Sequence, residues 1–216
     1  QSLRMNSAQK YKDGDGLRRM VESTNKAELI FFTSKQNAYK AKGYDFEDTK
    51  ASLLGDYLPA KLEMEQDETV VAMAVTVDYK GDMLFFFENG KAVRVPVTAY
   101  VTKGTRRKLT GAYSDASPIV SVFTDTDKKP IDILMISSQD RAILVKSTLI
   151  PVKTTRTSGG VQIMTLKKGA TLAKAVSDFG DSYQNVKSYR KLKVPASGTL
   201  LEEKNVEIQQ IKMDTD

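Results

Sequence analysis

At 216 residues, with 40% hydrophobic and 28% charged side chains and a net charge of +6, the chain has the make-up of a globular domain with a basic bias. It contains no cysteine and no histidine, which removes disulfides, the usual zinc sites, thiol nucleophiles and imidazole bases. No apolar run approaches the roughly 20 residues of a bilayer-spanning helix, and residues 1–16 lack the apolar core of a signal peptide, so a cytoplasmic chain is expected.

The chain opens on Ser2-Leu3-Arg4-Met5, which reads as the return strand of a hairpin, with no initiator methionine, so a piece of a longer chain is expected. A polar turn at Lys12 to Gly16 and a short strand near Leu17 to Glu22 follow. A first full hairpin runs from Glu28 to about Tyr44, with an apolar run Leu29-Ile30-Phe31-Phe32. An acidic connector spans 45–68, where the stretch 51–59 mixes helix and turn signals. Thr69 to Asp78 is rich in β-branched residues and reads as a strand.

The stretch Gly81 to Tyr100 is the clearest hairpin. Met83 to Phe87 is a continuous apolar run, too short for a buried helix, and implies a strand covered on both faces. Glu88-Asn89-Gly90-Lys91 is the turn, with Asn89-Gly90 expected to supply positive φ. On the return strand Val93, Val95 and Val97 share one face, while Ala92, Arg94 and Pro96 share the other. Pro96 cannot donate to a ladder, so a sheet edge or a change of strand partner is expected there.

The pattern recurs at Asp132 to Leu144. Aligning Ala38, Ala92 and Ala142 gives spacings of 54 and 50 residues, the period of a propeller blade. Residues 1–176 are therefore read as one repeat domain, with repeats at about 1–44, 45–100, 101–150 and 151–176. Residues 177–216 form a tail that is partly packed and frayed at its end.

Charge is distributed by repeat. Residues 89–114 and 141–177 contain no acid, whereas Asp45 to Asp82 carries ten acids against Lys50, Lys61 and Lys80. Two basic, Gly-containing loops, Lys103 to Lys108 and Arg156 to Gly169, each lead into a strand. A one-sided basic surface fits a phosphate-backbone binder.

The hairpins, their period of about 50 residues, and segments of the type Arg156-Thr-Ser-Gly-Gly-Val161 to Leu166 together resemble the C-terminal domain of the A subunit of bacterial type IIA topoisomerases, DNA gyrase or topoisomerase IV. The resemblance covers Leu3 to Val176. It implies an all-β, propeller-like β-pinwheel, of about four blades here, that exchanges strands between neighbours and wraps duplex DNA on a basic outer rim. It further implies a monomeric domain with no catalytic residue, metal or cofactor. ATP and Mg would be used by absent parts of the parent, namely an ATPase B subunit together with the catalytic core of the same A subunit. The DNA would be that of the nucleoid. The family's nucleophilic tyrosine follows an arginine, and no Arg-Tyr pair occurs in this sequence. The Gln-Arg-Arg-Gly-Gly-Lys-Gly box of gyrases is also missing.

The residues expected to meet phosphates are Lys40 and Arg94, which share a repeat position and point outward on the strand reading, together with Lys91, Lys103, Arg106, Arg107, Lys108, Arg156, Lys167 and Lys168. The aromatics Phe31, Phe32 and Phe85 to Phe87 are expected in the core. A propeller module that binds an acidic protein or RNA is an alternative, and a carboxylate-based hydrolase a third reading.

Overall fold

A computed structural model describes residues 21–46, 55–125, 129–180 and 182–202. The strand readings at 2–5 and over most of 17–22, and the apolar tail positions from Val206 on, lie outside these residues. Val21 and Glu22 are in no strand. In chain order the strands are β1 (Glu28–Thr33), β2 (Ala38–Lys42), β3 (Val70–Thr76), β4 (Asp82–Phe87), β5 (Lys91–Pro96), β6 (Lys108–Leu109), β7 (Ile119–Asp125), β8 (Asp132–Ser137), β9 (Arg141–Lys146), β10 (Val161–Gln162), β11 (Met164–Thr165), β12 (Leu172–Val176), β13 (Ala196–Ser197) and β14 (Thr199–Leu200). Among the described residues the connector contains one short α-helix, α1 (Leu58–Lys61), at the end of the ambiguous stretch, and residues 51–54 lie outside the described residues. No helix among the described residues is long and apolar enough to cross a membrane.

The hairpins β1–β2, β4–β5 and β8–β9 each form the middle of a four-stranded sheet. Their turns are closed by Gln36, Gly90 and Asp140, whose N–H groups donate to Thr33, Phe87 and Ser137 at 3.2, 2.9 and 3.0 Å. Each of these three residues is left-handed, with φ of 55°, 78° and 52°. Asn89 is not, so the expectation of two positive φ values in the second turn is corrected to one. The geometry is a turn followed by a single left-handed residue, which needs only one Gly-like position.

The left-handed residue also aims its carbonyl at a later segment. Gln36 O accepts from Ala112 N–H at 2.7 Å, Gly90 O from Ile163 N–H at 3.1 Å and Asp140 O from Leu201 N–H at 2.8 Å. These contacts mark the strand exchange. Each sheet takes one edge strand from the chain that follows its hairpin (β3, β7, β12), with β6 intervening before β7 and β10 and β11 before β12, and the other from a different segment further on (β6, β10, β14). In the first two sheets that far segment lies beyond the next hairpin, so neighbouring blades interlock as a β-pinwheel.

Continuous apolar runs form because both faces of each hairpin are covered. Met83, Phe85, Phe87, Val93 and Val95 pack against Ile30 and Phe32 of the first blade. Leu84, Phe86 and Ala92, on the opposite face, pack against Ile133, Met135 and Ile143 of the third. Phe32 and Phe85 meet edge to face at 5.6 Å. Each such fully buried ring contributes about 2–3 kcal/mol. The expected core aromatics are thus all internal, none more than 3% exposed. The two outer faces are covered from within the chain. Leu58, Leu62 and Met64 lie on Phe31 and Tyr39 of blade 1. Phe179, Tyr183, Tyr189 and Leu201 cover Leu134, Ile136 and Leu144 of blade 3.

Candidate nucleic-acid interface

Strand order decides which edge of each blade faces out. β7 lies against both β3 and β12, and Ser121 Oγ on β7 donates to Ala175 O on β12 at 2.8 Å. These three edge strands converge on a common interior. At about 4.8 Å per strand, the exchanged strands β6, β10 and β14 stand roughly 14 Å further out. The outer edge is therefore built from three segments, at 101–109, 151–162 and 190–200.

All three segments are free of acids. The first carries Lys103, Arg106 and Arg107, all exposed, and Lys108, partly exposed on β6. Thr102 Oγ1 donates to Arg106 O at 3.1 Å and folds this loop on itself. The second carries Lys153, whose N–H donates to Arg94 O at 2.8 Å, leaving its side chain exposed. The third carries Lys191 at the equivalent place, its N–H donating to Leu144 O at 2.8 Å, then the exposed Lys193. This third segment was not expected from sequence. Its signal is that residues 182–201 contain no acid, which is masked when the tail is counted as a whole.

The interior cations behave differently. Lys40 is not outward but buried, 4% exposed. Its Nζ lies 3.2 Å from Glu28 Oε1, donates to Thr102 Oγ1 at 3.0 Å and sits 5.0 Å over the Tyr79 ring. Burial would raise the Glu28 carboxyl, but hydrogen bonds from Tyr79 and Lys40 outweigh it and hold the group below its ordinary value. Arg94 is half-buried, with Nε 3.7 Å from Asp82 Oδ2 and without a hydrogen-bond partner. The strand alternation is right for both; the opposite face meets protein rather than solvent.

Arg156 is likewise a staple, since it donates from Nη1 to Ala99 O at 2.9 Å and from Nε to Gly111 O at 3.3 Å. Lys167 and Lys168 are exposed on the turn between β11 and β12, beside the hairpin tip at Ser138, which donates its N–H to Thr171 O at 2.8 Å. Lys91 sits at the tip of the second hairpin. Of the expected residues, the structure groups Lys103, Arg106, Arg107 and Lys108 on the outer edge, takes Lys40, Arg94 and Arg156 into the framework, and leaves Lys91, Lys167 and Lys168 at the tips.

Glycine permits the close approach of the second edge segment. A Cβ on Gly160, at φ 72°, would lie 2.1 Å from Ala92 O. A Cβ on Gly90 would lie 2.5 Å from Met164 O.

Comparison with known proteins bears on this architecture. Residues 132–177 match the family model described as the DNA gyrase C-terminal domain, beta-propeller. The A subunit of DNA gyrase from Staphylococcus epidermidis is 25% identical over 164 residues, 74% of this chain and 18% of that protein. Its counterpart from Staphylococcus aureus is 24% identical over 159 residues, 72% of this chain and 18% of that protein. The chain thus spans about a fifth of these relatives. Among solved structures, the C-terminal domain of DNA topoisomerase IV aligns over 81% of this chain and 55% of its own, with TM-score 0.65 and 24% identity. The Escherichia coli ParC C-terminal domain aligns over 91% and 85%, with TM-score 0.61 and 15% identity. Interlocked blades, the matched third repeat and the aligned relatives together show a β-pinwheel fold similar to that of the C-terminal domains of type IIA topoisomerase A subunits.

Proposed function

We propose that the domain binds duplex DNA along the outer edge of its blades and sets the path of the DNA for a catalytic core elsewhere in the parent A subunit. The observation that carries this is the coincidence of two independent patterns. The strand exchange creates three outer-edge segments, and each of them is acid-free and exposes lysine or arginine. Phosphate contacts of this kind position a duplex without reading its bases. Preference among duplexes comes from their bendability.

DNA cleavage with Mg, ATP hydrolysis by a B subunit, and cytoplasmic, nucleoid-associated action belong in this proposal to the whole enzyme. The missing gyrase box favours a topoisomerase IV-like mode over gyrase-type wrapping.

The test is a salt titration of binding to a duplex of about 40 base pairs and one of about 12. If six to eight phosphates are neutralised, the salt slope is about −5 to −7. Tighter binding of the longer duplex with that slope supports the reading. Length-independent or undetectable binding at low salt overturns it in favour of an acidic protein or RNA partner.

A further inference from the structure

The acidic connector does not stay apart from the basic edge. After β2, Asp45 Oδ2 lies 3.7 Å from Arg107 Nη2. Beyond α1, Glu65 pairs with Lys108 through Oε1 and with Lys35 at 3.7 Å through Oε2. The Lys108 ammonium holds the Glu65 carboxyl below its ordinary range, and Glu65 raises Lys108 in return. Arg107 and Lys108 are two of the four cations on the first outer-edge segment, and Lys103 and Arg106 beside them have no ion-pair partner among the described residues.

Between α1 and this segment runs a cleft of about 440 Å³ whose polar lining is Lys40, Lys61, Thr105, Arg107 and Lys108 with one acid, Glu63, over Tyr39 and Leu62. Lys61 is in turn paired with Asp56 at 3.2 Å. Four cations and one carboxylate thus border the cleft; Lys61, Arg107 and Lys108 take their counter-ions from the connector, whereas Lys40 takes Glu28 of β1.

Resting on the duplex-binding reading, we propose that this cleft is a further phosphate site, and that Asp45, Asp56 and Glu65 are built-in competitors whose carboxylates are exchanged for backbone phosphates when duplex DNA reaches the first blade. The geometry suits exchange. Arg107 keeps 68% of its side chain exposed, and Lys108 and Glu65 keep 37% and 47%. Exposed pairs of this kind shift an equilibrium by less than about fivefold each. α1 is meanwhile anchored through Leu58 and Leu62 on the apolar face of blade 1. The carboxylates can leave the cations without the connector leaving the fold.

The experiment compares Asp45→Asn/Glu65→Gln with wild type, and with Asp115→Asn/Asp178→Asn, which removes two exposed acids that pair with none of these cations. Melting curves first establish that all three fold. Binding of a 40-base-pair duplex is then followed against salt. The expected result is that Asp45→Asn/Glu65→Gln binds about 3- to 20-fold tighter than the control at about 100 mM salt. Its salt slope is steeper by about 1 to 2, because Arg107 and Lys108 now release small counter-ions. If the duplex binds wild type but the two double variants do not differ, the competitor is overturned and the outer-edge reading stands. If none of the three binds the duplex at low salt, both readings are overturned.

Discussion

Arg190 makes a two-pronged pair with Asp132 from 58 residues further along the chain, with Nη1 donating to Oδ1 at 2.9 Å. It supplies in blade 3 the cation that Lys40 gives to Glu28 in blade 1 and Arg94 to Asp82 in blade 2. The hairpin position itself holds Leu144 in blade 3. The framework requires a cation beside the first acid of each blade, and the strand exchange lets that cation come from either partner segment.

Arg190→Ala is expected to destabilise by about 1 kcal/mol, since both partners keep about a third of their surface in solvent. Leu144→Lys should cost less in the Arg190→Ala background than in wild type, because the new ammonium then has a vacant carboxylate to meet. Denaturant unfolding of the four proteins of this cycle measures the coupling. A cycle with zero coupling would show that the two positions do not share a slot.

Glu68 should govern the acid limb of stability. It is 5% exposed and accepts from Thr33 Oγ1, from Asn37 Nδ2 at 2.9 Å, from Tyr39 Oη at 2.7 Å and from Glu65 N–H at 2.9 Å. Burial raises the carboxyl, but these donors outweigh it and hold it below the ordinary 4.5. Its contribution is therefore present above that value and lost as pH falls through the lower folded value. Glu68→Gln should flatten the loss of melting temperature below about pH 4.5. Glu68→Ala, which removes the acceptor of all four donors, should cost about 2–4 kcal/mol at neutral pH.

Two left-handed glycines separate backbone strain from steric exclusion. Gly169, at φ 78°, has nothing within 4 Å of a built Cβ, so Gly169→Ala should cost only the conformational penalty of about 1–2 kcal/mol. Gly160 adds a Cβ 2.1 Å from Ala92 O, and Gly160→Ala should cost well above that, about 3 kcal/mol or more. Equal losses in urea unfolding would mean that β10 can shift away from β5 freely.

Cations on the outer edge and cations in the framework should fail in different assays. Lys191→Glu/Lys193→Glu is expected to weaken duplex binding about tenfold or more and to reduce the salt slope by about 2, with little change in melting. Arg156→Ala should do the reverse, costing about 1–3 kcal/mol of stability through two lost carbonyl contacts while leaving the slope in place.

The repeat was legible because Ala38, Ala92 and Ala142 mark one register and the apolar runs beside them are long enough to read as doubly covered strands. The exchange was not legible from periodicity. β6, β10 and β14 have two residues each, too few to show alternation, and their partners are set by tertiary contacts. Lys40 misled for a related reason. Alternation shows which face a side chain takes, but not that Glu28, Tyr79 and Thr102 wait on that face. Arg156 stood in a loop of basic residues, and nothing local distinguishes a lysine that meets solvent from an arginine that meets two carbonyls. The third edge segment was hidden by averaging it with the acids that flank it.

The exchanged strands also set a timetable for synthesis. Ala38 waits for Leu109, 71 residues later, and Ala92 waits for Val161, 69 residues later. Each of these blades emerges from the ribosome one strand short and stays so while the next hairpin is made. Ala142 waits only 57 residues for Thr199, because no hairpin intervenes. The third blade shortens its own delay, and a nascent chain stalled within the final 25 or so described residues would leave that blade with an open edge beside its two completed predecessors.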